Sequence, residues 1–182
     1  MNHAPEVDQL QRYGIPVFMV NPHGIAGIYK SVASLGQALN RQSEATSLIR
    51  DLQAREQRVR NRVQGKRAER IFMPVWYDPI VTIGKHAFIT ELIEAAGGQS
   101  ITSDIAQEWP QVSFEAAIAR HPDAFLLVRN SKMSLHDLAT RPGWQSLSAV
   151  REGRAFYVDT RIQLPSPAAI YALEDLANQL QP

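Results

Sequence analysis

The residues in this 182-residue chain whose types and spacing suggest chemistry are aromatic and carboxylic. Trp76-Tyr77-Asp78-Pro79 directly follows the apolar run Ile71-Phe72-Met73-Pro74-Val75. In an open α/β sheet the carboxyl end of a strand is where ligands bind. Rings at that place can cover a flat apolar ligand, or they can close a lid over the protein's own core. The most informative segment is Glu108-Trp109-Pro110-Gln111-Val112-Ser113-Phe114-Glu115, an extended Trp-Pro piece leading to Ser113 as a helix N-cap. Glu115 then falls in the first helical turn. A carboxylate there favours the helix macrodipole and also suits an arginine on another protein. Asp78, Lys85 and His86, polar groups beside the same strand exit, carry the rival reading of a small α/β enzyme.

Several chemistries are excluded by what is missing. The chain has no cysteine, which removes disulfides, thiolate metal sites and cysteine nucleophiles together. His3, His23, His86, His121 and His136 never pair at helical ligand spacing, so no local metal site is visible and no resident cofactor is expected. There is no Walker A loop, G-x-G-x-x-G, G-x-S-x-G or H-E-x-x-H. With 45% hydrophobic and 20% charged residues the composition is that of a folded globular chain. No apolar run is long enough to span a bilayer, and the first residues lack the basic and apolar regions of an export signal. The net charge of +1 hides a basic stretch over 41–70, nine Lys and Arg against four Asp and Glu. It lies in a helical pattern without interleaved aromatics or a Gly-rich loop, which reads as a solvated helix face and not a nucleic-acid surface.

The elements that must position these residues follow from periodicity. A helix is predicted over 7–13, stopped by Gly14, then a short buried strand over 15–20 and turn chemistry at Asn21-Pro22-His23-Gly24. Ile25, Ile28, Val32, Leu35 and Leu39 mark a second helix. From 41 to about 65, Ala45, Leu48, Ile49, Leu52, Val59 and Val63 keep to one face of a third, which at ~1.5 Å per residue runs ~36 Å and crosses the molecule. A strand over 70–75, a loop through Tyr77-Asp78-Pro79 and a helix over 87–96 stopped by Gly97-Gly98 come next. Then come a helix over 114–120, a strand over 124–128, a helix over 143–150, a strand over 155–158 and a closing helix over 167–180. Strands alternating with helices imply a parallel α/β sheet. The organisation is a partial α/β unit over 1–40, a long helix over 41–66, and a complete three-layer α/β lobe over 67–182.

Trp109 to Glu115, followed by Ile118-Ala119-Arg120-His121-Pro122-Asp123, resembles the second lobe of the cobalamin-binding and iron-chelate-binding periplasmic proteins of ABC importers. Gly84-Lys85, Pro142-Gly143-Trp144-Gln145-Ser146-Leu147, the run from Ala149 to Asp159 and Pro165-Ser166-Pro167 agree in order and spacing. The resemblance covers essentially 67–182. It implies two α/β lobes joined by a rigid helix, with residues 1–40 as a remnant of the N-terminal lobe and the opening strands of that lobe not in the chain. It implies a periplasmic, non-catalytic protein that binds cobalamin, haem or a ferric siderophore between the lobes and delivers it to a permease in the inner membrane. The ligand wall would include Trp76, Tyr77, Asp78, Trp109, Arg161 and Gln163. Glu115 occupies the position that docks on the permease in the second lobe, and Glu6 lies near the corresponding place in the first. A truncated product without transport activity is the other alternative.

Overall fold

Successive side chains of a strand point to opposite faces of a sheet, and in this protein both faces are apolar. The computed structural model describes residues 4–129 and 133–181; His3 and the first residues of the chain lie outside them. Strands β1 (Glu69–Phe72), β4 (Gly98–Ser100), β5 (Ala124–Val128) and β6 (Ala155–Val158) form one parallel sheet in the order β4-β1-β5-β6. Ile71, Ala124, Leu126 and Val158 face one core, shared with helices α2 (Gly24–Ala38), α3 (Gln42–Val63), α4 (Phe88–Ala95) and α8 (Pro167–Leu180). Phe72, Phe125 and Leu127 face the other, beneath α5 (Phe114–Ala119), α6 (Leu135–Ala139) and α7 (Ser148–Arg151). This is the expected three-layer α/β arrangement. Trp144 anchors the second core, its ring 5.3 Å from Phe114, 5.9 Å from Phe125 and 6.1 Å from Phe72.

The helices bury stripes set by their periodicity. In α8, Pro167 opens the first turn, and Ala169, Ile170, Leu173, Leu176, Ala177 and Leu180 recur at three- and four-residue spacing on the core side. In α3 the buried positions are Ala45, Leu52 and Val59, one every seven residues, so the stripe is narrow. Its basic residues are largely spent within the molecule. Arg55 meets Asp51 and Glu174 at 2.9 Å each, Arg60 meets Glu56 at 2.7 Å, Arg41 meets Glu44 at 2.9 Å, and Arg62 donates to Asn178. The helix therefore lies along α8 through specific polar contacts, with Glu174 of α8 receiving Arg55 at 2.9 Å and Arg58 at 3.6 Å.

The structure corrects several element expectations. Helix α1 (Ala4–Arg12) ends as expected at Gly14, whose φ is +72°. Residues 15–20 form no strand, and Ile15, Phe18, Met19 and Val20 are exposed. A strand needs a ladder partner, and no backbone hydrogen bond joins 17–20 to any described residue. The strand over 70–75 breaks at Met73, after which β2 (Pro74–Tyr77) and β3 (Ile80–Thr82) make an antiparallel hairpin where a loop was expected. Beyond the Gly97 stop, Gly98 opens β4, its position packed against Ile93 and Leu180 so tightly that a Cβ would stand 2.9 Å from Ile93 Cγ2. The helix over 143–150 resolves into a 3₁₀ turn at Trp144–Ser146 followed by α7, because Gly143 takes a left-handed φ of +85° and Leu147 is extended. Helix α6 carries no apolar periodicity long enough to announce it, but Ser134 and Asp137 form a reciprocal capping box.

Candidate ligand-binding face

All four strands of the sheet run parallel, so their carboxyl ends share one rim. After β1 the chain enters the β2–β3 hairpin. Trp76 pairs with Val81 across that hairpin, and Val81 bridges Gln111 on the other side. Backbone bonds from Thr82 N to Pro110 O (3.0 Å), Gly84 N to Glu108 O (2.9 Å) and Val112 N to Ile80 O (3.0 Å) lock 108–112 alongside β3 as a third segment of one ribbon. Cross-strand partners project to the same side, and alternation adds Trp109 to the side of Trp76, Val81 and Gln111. Burial agrees with this register. Trp76 and Trp109 are 63% and 47% exposed, whereas Ile80 and Thr82 on the opposite side are buried. The Trp76 indole donates to Asp78 O at 3.1 Å, which orients the ring.

The ribbon is held from beneath by buried hydroxyls. Thr82 Oγ1 donates to Met73 O (2.9 Å), Thr90 Oγ1 to Gly84 O (2.7 Å) and Thr102 Oγ1 to Ile83 O (2.6 Å). Each buried hydroxyl is thereby satisfied, where an unpaired one would cost about 1–3 kcal/mol, and Gly84 O also accepts from Ala87 N at 3.2 Å. Gly84 is the tightest point. A Cβ there would stand 2.0 Å from Gln107 O and 2.8 Å from Ile105 O, so only glycine lets the 105–112 segment approach.

The remaining sequence-derived residues are distributed around this rim. Tyr77 follows Trp76 and turns inward against the second core, with the Arg141 guanidinium 3.7 Å above its ring. Its hydroxyl is buried without a partner among the described residues, and burial, helped by Asp137 and opposed by Arg141, pushes the phenol up. Asp78, Lys85 and His86 are exposed, and no hydrogen bond joins their side chains to one another among the described residues. Arg161 and Gln163 lie in the 3₁₀ turn after β6, two strands from β1, roughly 10 Å along the rim at ~4.8 Å per strand. The Arg161 guanidinium is held by Asp159 at 3.0 Å and Asp175 at 3.5 Å. It borders a groove of about 380 Å³ with Arg129, Tyr157 and Gln179. Among the described residues no His, Asp or Glu cluster could hold a metal ion.

Glu115 stands exposed in the first turn of α5, where Ser113 Oγ accepts from Ala116 N at 3.1 Å as the expected N-cap. Its own backbone N–H and then the Ser113 hydroxyl hold its carboxyl below the usual carboxylate range, so it is ionised at neutral pH. Glu6 is exposed in the first turn of α1. Sequence reasoning passed over Arg129 and Arg141. Arg129 directly follows the apolar run of β5, so the strand-exit rule that singled out Trp76 applies to it equally. Arg141 carries no such local signal, since its stacking on Tyr77 joins residues 64 positions apart.

No helix among the described residues is long and apolar enough to cross a membrane. The fold has close counterparts among known proteins. A possible iron-binding periplasmic solute-binding protein from Staphylococcus epidermidis superposes with a TM-score of 0.85 at 25% identity, covering 97% of this chain and 70% of that one. The apo periplasmic heme-binding protein of Roseiflexus sp. RS-1 superposes at 0.87 and 21% identity, over 98% of this chain and 71% of its own. In sequence, the vitamin B12-binding protein of Vibrio parahaemolyticus is 21% identical over 182 residues, 99% of this chain, and the chain spans 65% of that relative's length. These relatives are, by their names, binding proteins. The family model for periplasmic binding proteins matches residues 3–162, and the chain belongs to that family.

Proposed function

We propose that this chain supplies one wall of a cleft that captures a metal chelate, cobalamin in the first instance and otherwise haem or a ferric siderophore, for delivery to an ABC importer permease from the periplasm. The observation that carries the reading is the placement of Trp76 and Trp109, both exposed, on one face of the ribbon at the strand rim. Large flat rings in water are costly to leave uncovered, and a bulky planar ligand covers both. Arg161, Gln163 and Asp78 give the same rim a polar border for amide or carboxylate groups of such a ligand, and Tyr77 supports the wall from below. The names of the relatives point the same way, since vitamin B12 and heme are both chelates of a metal in a flat macrocycle.

A second wall would come from the side of α1 and residues 15–20. There Leu10, Tyr13, Ile15, Phe18, Met19 and Val20 are exposed, the pattern of a core face that further strands of the family fold would cover. Delivery rests on Glu115, with Glu6 as its counterpart in the first lobe. An ionised, exposed carboxylate meets an arginine pocket with little desolvation cost and gains steering from it.

Ligand sites normally enclose most of the ligand's surface, so one wall alone gives affinity of ~micromolar or weaker. Calorimetry of cyanocobalamin and of haemin against the chain tests this. The expected result is weak binding to one of them that Trp109→Ala or Trp76→Ala abolishes. Nanomolar binding, or binding indifferent to both substitutions, overturns it.

A further inference from the structure

Two helix N-termini meet at one carboxylate. Helix α2 begins after His23, whose side chain makes no capping bond, and α4 begins after Ala87, which has none to offer. Glu91, in the first turn of α4, reaches across to α2, where its Oε2 accepts from Ile25 N at 3.0 Å. The same carboxylate therefore complements the partial positive charge at both helix starts. Gly24 makes the contact possible. Its φ of +67° lies in the left-handed region, and a Cβ there would stand 2.5 Å from Glu91 Oε2 and 3.3 Å from its Cδ. Just below, Ile25 and Ile28 are almost fully buried in the first core. The chain before them has no comparable anchorage, since α1 and residues 15–20 are largely exposed.

The neighbouring residue extends the connection. Thr90 Oγ1 donates to Gly84 O at 2.7 Å, and Gly84 N donates to Glu108 O at 2.9 Å, one residue before Trp109. Two consecutive residues of one helical turn thus hold the entrance of α2 and the Trp109 segment. We propose that Glu91 is a positioning residue, which with Thr90 makes the first turn of α4 a clamp that sets the spacing between the start of α2, where the α1 side enters, and the tryptophan face. The assignment rests on the two-walled cleft proposed above, but its test requires no ligand.

The absence of cysteine allows unique labelling. Spin labels on Lys30→Cys in α2 and on Gln111→Cys, both exposed positions, report the spacing directly by pulsed dipolar spectroscopy. The parent protein should give one narrow distance distribution. Glu91→Ala should broaden it and speed exchange of the Ile25 amide about tenfold, the loss of one hydrogen bond to a charged group. Glu91→Gln, which keeps an acceptor oxygen, should recover most of the parent distribution. An unchanged distance and width in Glu91→Ala overturns the proposal. Protection of the β1 and β5 amides reports whether that variant is folded. If it is not, Gly24→Ala displaces the carboxylate while leaving it in place chemically, and an unchanged distribution there overturns the proposal equally. Failure of the chain to bind any chelate refutes the cleft reading and leaves these distances to be judged on their own.

Discussion

Replacing Gly84 with alanine tests how the aromatic face is held. The added Cβ would stand 2.0 Å from Gln107 O, whereas ordinary contact begins near 3.4 Å, so the backbone of 105–108 must retreat by about 1.4 Å. That retreat strains the bonds from Gly84 N to Glu108 O and from Lys85 N to Ile105 O, now 2.9 and 2.7 Å. Overpacking costs about 1–3 kcal/mol and each weakened backbone bond up to ~1 kcal/mol. A loss of about 3 kcal/mol, equivalent to roughly 6–12 °C in Tm for a chain of this size, is the expected outcome. Thermal unfolding measures that loss. A second readout isolates the site. In a Trp76→Phe background Trp109 is the only exposed tryptophan, because Trp144 is buried, so acrylamide quenching follows Trp109 alone. Gly84→Ala should raise that quenching. A variant with unchanged Tm and unchanged quenching would refute the claim that Gly84 positions the Trp109 segment.

Gln179 closes the open edge of β6, its Oε1 accepting from Tyr157 N and its Nε2 donating to Tyr157 O, both at 3.2 Å. Gln179→Ala should cost about 1–2 kcal/mol and, by freeing a strand edge, promote concentration-dependent association visible in sedimentation. Asp104 is held below the usual carboxylate range by its hydrogen bonds from Arg120. Its contribution is therefore fully present above the unfolded pKa, near pH 4, and lost as pH falls through the lower folded value. Asp104→Asn should flatten part of the decline in Tm on acidification, and an unaltered acid slope would count against the pair. Phe18 and Met19 are 55% and 64% exposed. Phe18→Ser with Met19→Ser should reduce binding of a hydrophobic dye while changing stability by only about 0.5 kcal/mol.

Much of this protein was legible before folding was considered. Wherever a local rule is also a tertiary one, the expectation held. Pro167 and the apolar spacing after it mark α8, Ser113 caps α5, and the apolar runs at 124–128 and 155–158 are strands of a parallel sheet, the first buried and the second half-buried at its edge. Local sequence sufficed there because the same periodicity that favours an element also supplies its buried face. The family, too, was readable from the ordered motifs between Gly84 and Pro167. What the sequence could not settle were features set by partners distant along the chain. Residues 15–20 have the composition of a strand, but no described neighbour offers a ladder, so they form none and most of them stay exposed. The common face of Trp76 and Trp109 depends on the β2–β3 register and on a bridge from Val81 to Gln111. The inward turn of Tyr77 beneath Arg141 and the tie from Glu91 to Ile25 join residues 64 and 66 positions apart. Period and capping are properties of neighbours in sequence, whereas register, burial and the sharing of one carboxylate by two helices exist only once the chain has brought remote segments together.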